Sequence, residues 1–238
     1  MADELEIPGS ADQLYLYRGD EVNPHRPLLQ GDVFDQTAIP GVDDNPAMAI
    51  VTTHACDMRG EDGVVLAEHL HLARVDLKLD PHPLGYWFRG SFGEMPLPDL
   101  LGAGQGAYVA NLDLIGRAPT ASLGPRVACL DLYGITILQQ RIVNRSSRVK
   151  ISKVQFQEQN AGVFAEAELM EEWIEASDKF GVGRGEAEET FHEFMRKPRG
   201  DEPPLQTQLK DEGRRPHVRQ VVRQETASRF SDTATGPT

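Results

Sequence analysis

Apolar positions alternate with polar ones through much of the first half of the chain, and recur at helical spacing through the second. Asp32-Val33-Phe34 opens a short strand. Pro40, Gly41 and Pro46 mark a loop over residues 39–46. Residues 47–53 form a continuous apolar and β-branched run, the pattern of a buried strand. Residues 64–77 alternate around His69, His71 and Arg74 and read as strand, although their acidic start would also allow a helix. Tyr86-Trp87-Phe88 is an aromatic strand segment, and Pro96-Leu97-Pro98 reads as a break. Residues 107–115 and 126–132 complete the strand candidates.

Helical spacing follows. Ile135, Leu138, Ile142 and Val149 predict a helix over residues 135–148, and Leu169, Met170, Trp173 and Ile174 stripe a clearer one over 164–176. A shorter helix is expected over 186–195. Strands early and helices late imply an α+β fold: a small, bent antiparallel sheet or barrel with helices to one side. Residues 1–28 are polar and turn-rich and read mostly as an extended arm, in which Leu14-Tyr15-Leu16-Tyr17 could pack on the body. Residues 29–196 form the globular α+β body. Residues 197–238, with Pro198, Pro203, Pro204, Pro216 and Pro237 among charged side chains, read as a flexible tail. Residues 217–230 of that tail could form a helix on a partner.

Charge adds a second division. The chain carries a formal charge of -13. The segment from Lys197 has eight basic and six acidic residues, a balance of +2, and leaves the body with 16 basic against 31 acidic, or -15. Such a body does not coat itself with nucleic acid through diffuse phosphate contacts; it would need a local basic strip. The tail's cations could fold back on the acidic body or reach for an anionic partner. Two cysteines, Cys56 and Cys129, make no disulfide framework. The acidic N-terminus has no apolar signal region, and no run approaches the roughly 18 apolar residues that span a bilayer. The expected location is the cytoplasm, with no membrane partner.

Three clusters carry candidate chemistry. His54 with Cys56 and His69 with His71 are i, i+2 pairs; on strands each pair shares a face, and four such ligands would suit tetrahedral zinc. Cys56, with His54 and Asp57 beside it, has the residue types of a nucleophile and its partner, but a neighbouring Asp57 carboxylate raises a thiol pKa. Arg141, Arg145 and Arg148, spaced four and three apart, would share a helix face able to hold phosphates; the plain alternative is a solvated face paired with body carboxylates. The Gly102-x-Gly104-x-Gly106 run precedes a strand-like segment and is a loop, not a dinucleotide fingerprint, and Glu188, Glu189 and His192 lack the two-histidine spacing of a zinc protease.

One stretch resembles a known family. Gln30-Gly31-Asp32-Val33-Phe34, a Pro-containing loop, the apolar run 47–53 and His54-Ala55-Cys56-Asp57-Met58-Arg59 are similar to the PemK/MazF-like proteins of bacteria. The resemblance covers about thirty residues of 238. It implies an SH3-like barrel, a bacterial or phage-borne toxin–antitoxin setting, and, for toxin members, cleavage of single-stranded RNA. Thr52 or Thr53 matches the hydroxyl at the family's strand end. Asn45-Pro46 stands where the family has Arg-Pro, so the arginine that would stabilise a phosphorane has no counterpart. The leading expectation is therefore an interaction protein that binds a protein or single-stranded RNA near residues 52–59, through Arg59, Arg141, Arg145 and Arg148. A ribonuclease using Thr53, His54 and Asp57, with no cofactor, is the alternative; a zinc-stabilised module is a third. The expectation leaves room for a homo-oligomer.

Overall fold

The computed structural model describes residues 5–59, 65–78, 93–147, 152–200 and 202–231. The aromatic segment 86–88 and Arg148 lie outside them. The chain forms two compact units: Met1–Pro24 with Leu28–Gln157, and His25–Pro27 with Glu158–Thr238. The first holds a seven-stranded antiparallel sheet and the second is helical, so the fold is α+β.

The strands are β1 (Tyr15–Arg18), β2 (Asp32–Ile39), β3 (Asp43–Val51), β4 (His69–Lys78), β5 (Glu94–Pro98), β6 (Ala107–Pro119) and β7 (Arg126–Leu130). They run in the order β1-β7-β2-β3-β4-β6-β5, and the hydrogen-bonded ladder is not closed. Irregular register in four of the six pairings bends the sheet. Its edges are bridged by side chains: Tyr15 Oη donates to the Pro98 carbonyl at 3.0 Å, and Arg18 donates to the Asp99 carbonyl at 3.2 Å. Burial raises the Tyr15 phenol pKa far above its usual value, keeping it a donor. Phe34, Ile39, Ala49, Val51, Leu70 and Leu72 fill one cluster in the sheet.

Gly31 turns the chain into β2 with φ +88°, and a Cβ there would lie 2.9 Å from the Leu130 side chain. Asp32 beside it is buried, accepts from the Leu29 amide at 3.0 Å and faces Arg126 at 3.5 Å. Helix α1 (Leu132–Ser147) follows β7. The Asp131 side chain accepts from the Gly134 amide at 2.6 Å, an N-cap, although burial raises its carboxyl pKa. Gly134 lets the helix approach the Leu14 carbonyl, 2.3 Å from where a Cβ would stand.

The helical unit contains α2 (Lys153–Asp178) from Glu158 onward, α3 (Arg184–Arg196), α4 (Leu205–Gln208) and α5 (Arg215–Arg229). Trp173 is its centre, with Phe191, Phe194 and Phe230 rings 5.5–5.8 Å away. Arg26 is fully buried, bonds Glu171 at 3.0 Å and lies over the Phe164 ring.

Three expectations change. The 1–28 arm contains β1, whose backbone pairs with β7, and Leu14 is fully buried. Pro96-Leu97-Pro98 is strand, tolerated because β5 is an edge that pairs only with β6. The flexible tail expected from residue 197 is helical over Leu205–Gln208 and Arg215–Arg229, because Leu205, Leu209, Val218 and Val222 are buried in the Trp173 core. Two of its cations do fold back on acidic side chains: Arg219 pairs with Glu168 and Arg223 with Glu172, both at 2.6 Å. Leu209→Ala should lower the stability of the helical unit by about 2–5 kcal/mol. Urea unfolding followed by far-UV circular dichroism checks this; a detached tail would show no change.

Candidate functional site

The chain leaves β3 at Val51 and turns over residues 54–57. Gln30 fixes that exit: its Nε2 donates to the Thr52 carbonyl at 2.8 Å, and its Oε1 accepts from Gln139 Nε2 of α1 at 2.6 Å. The next two residues grip β4. The Thr52 and Thr53 amides both donate to the His71 carbonyl, as does the Thr52 hydroxyl at 3.0 Å. The Thr53 Oγ1 accepts from the His71 amide at 2.6 Å. Both threonines are less than 10% exposed. Their hydroxyls therefore act first as backbone clamps.

His54 is half-buried and its Nδ1 accepts from the Cys56 amide at 3.2 Å, which leaves the proton of a neutral ring on Nε2. The Asp57 amide closes the turn on the His54 carbonyl. Met58, 1% exposed, anchors it below, while Cys56 and Asp57 are exposed. Thr53 and His54 thus sit beside His71, whereas Asp57 faces solvent one turn further on. Cys129, the other thiol, is buried and forms no disulfide among the described residues.

His69 and His71 share the exposed face of β4, as the i, i+2 spacing predicts. The four proposed zinc ligands remain two pairs: among the described residues, no three His, Cys, Asp or Glu side chains gather as a metal group.

The basic strip on α1 does not assemble. Arg141 is 1% exposed and donates to the Glu94 carbonyl of β5 at 2.8 Å. Burial pushes its pKa down to about 10, and it keeps its charge at neutral pH. This corrects its expected role as a phosphate ligand: the guanidinium belongs to the interior. Arg145 is exposed and paired with Asp113, as the plain alternative had it. Arg59 is half-buried and its backbone bridges to Leu66.

Sequence reasoning missed Arg117. It lies directly across from His71 in the β4–β6 register, so the two side chains share one face. It is exposed, and its side chain makes no hydrogen bond or ion pair among the described residues. The alternation that would have found it is interrupted at Gly116, where a Cβ would stand 2.6 Å from Ile39. His71 and Arg117 thus lie side by side on the exposed face of β4 and β6.

No family model matches this chain, and no curated protein matches it. Thr53→Val should cost about 1–3 kcal/mol, because it leaves the His71 amide without its acceptor. Thr53→Ser should restore most of that loss in chemical denaturation; equal losses in both variants would contradict the clamp.

Proposed function

We propose that this chain is an interaction protein of bacterial or phage type on a PemK/MazF-like framework, and that it holds single-stranded RNA without cutting it. The curled antiparallel sheet, opened by Gly31-Asp32 and bridged at its edges by Tyr15 and Arg18, supports reading the sheet as a small SH3-like barrel.

One observation carries the functional part: Arg117 stands exposed opposite His71, without a side-chain partner among the described residues, while the Thr52 and Thr53 hydroxyls are engaged with the His71 backbone. In an acidic chain a phosphodiester needs such a local cation, and the His71 ring beside it can add a hydrogen bond. The same geometry explains binding without cleavage. Thr53 Oγ1 is held by the His71 amide, Asn45 offers no charge where the family has arginine, and Arg141 is buried. Among the described residues no helix is long and apolar enough to cross a membrane.

The test is retention of an end-labelled single-stranded RNA by the full chain across a salt series. Intact RNA should be retained, and Arg117→Gln should weaken retention about tenfold and reduce the salt slope by about one. Retention unchanged in Arg117→Gln would contradict the proposal. RNA cut by the wild type and left whole by His54→Ala would return the assignment to an endoribonuclease.

A further inference from the structure

The helical unit has a pocket of its own. It lies between the end of α3, the following turn and the end of α5, with a volume of about 400 Å³. That is the size range of small-molecule sites. Phe194 supplies an apolar wall. Lys197, Arg199 and Arg229 bring cations, and Glu193 and Glu225 bring carboxylates.

The cations are unequally committed. Arg229 pairs with Glu225 at 3.1 Å and lies over Trp173, so it belongs to the fold. Lys197 and Arg199 make no side-chain hydrogen bond or ion pair among the described residues. Arg199 is held in place nonetheless. Its guanidinium lies 4.8 Å from the Phe194 ring centre, and its backbone bridges to Glu202 across a turn containing Gly200 at φ +63°. Its Nε is buried without an acceptor. A buried N–H donor normally has a partner, and among the described residues none accepts from this one.

We infer that this pocket binds a small molecule with an oxyanion head, phosphate or carboxylate, on an aromatic or other flat apolar body. The head would take the Arg199 fork and the Lys197 ammonium, and the body would cover Phe194. A guanidinium fixed on an aromatic ring is preorganised for two parallel bonds to such a head. Glu193, also on the rim, disfavours a ligand whose charge is spread over its whole body and selects one with the charge at one end. The inference rests on the helical unit and does not depend on RNA binding by the sheet.

Calorimetric titration of the full chain with phenyl phosphate, benzoate and inorganic phosphate tests it. Saturable one-to-one binding of phenyl phosphate or benzoate, tighter than inorganic phosphate, is expected, and the better of the two identifies the head. Arg199→Gln should weaken it about tenfold, the effect of one charge-assisted hydrogen bond. Lys179→Gln, the same charge change on an exposed residue paired with Glu175, should leave it unchanged. Thermal unfolding of each variant establishes that the fold is kept. No saturable binding of any probe would overturn the inference, as would equal weakening in the two variants.

Discussion

A single buried amide organises the sheet unit. Gln30 accepts from Gln139 on α1 and donates to the Thr52 carbonyl, so one side chain joins the helix to the last residues of the central strand. From Thr52 the connection continues to His71 through two amides and a hydroxyl. The two bonds of Gln30 are buried and the bonds to His71 are partly so, and such chains are rigid when satisfied and costly when broken. The position of the turn 54–57 and the presentation of His71 follow from this chain. The pair His71 and Arg117 inherits its geometry from it, because the register of β6 on β4 is set around the same residue.

The same economy decides what the site can do. Groups suited to chemistry at first sight are engaged in structure: the threonine hydroxyls on the His71 backbone, Arg141 on the Glu94 carbonyl, Asp32 on the Leu29 amide. Arg117, opposite the clamp, is exposed and has no side-chain partner among the described residues. The helical unit repeats the logic with other residues. Glu171, Glu168 and Glu172 take Arg26, Arg219 and Arg223 into its framework, and Lys197 and Arg199, which have no side-chain partner among the described residues, line the pocket beside Phe194.

Strands with their own hydrophobic signal were legible in the sequence. β2, β3, β4, β6 and β7 carry β-branched or alternating runs, and the striped segments became α1, α2 and α3. β1 and β5 were not legible because their neighbours hold them: Tyr15–Arg18 is a strand only against β7, and Glu94–Pro98, with two prolines, only at the edge of β6. α5 hides for a related reason. Val218 and Val222 alone sit fully in the core, with Val221 partly buried beside them, so its composition resembles a solvated tail while these valines pack into the Trp173 cluster. At the site, the i, i+2 spacing of His69 and His71 gave their shared face correctly. The spacing of Arg141 and Arg145 misled, since residues one turn apart share a face without sharing depth: one meets β5 and the other solvent.

Native-state hydrogen exchange at the His71 amide, in the wild type and in Gln30→Ala, tests most directly whether the Gln30 connection holds the site. In the wild type the amide should be protected to the level of global unfolding of the sheet unit. In Gln30→Ala its protection should fall selectively, while the amides of Leu72 to Val75 in the middle of β4 keep theirs. Equal protection of His71 in both proteins would contradict the account.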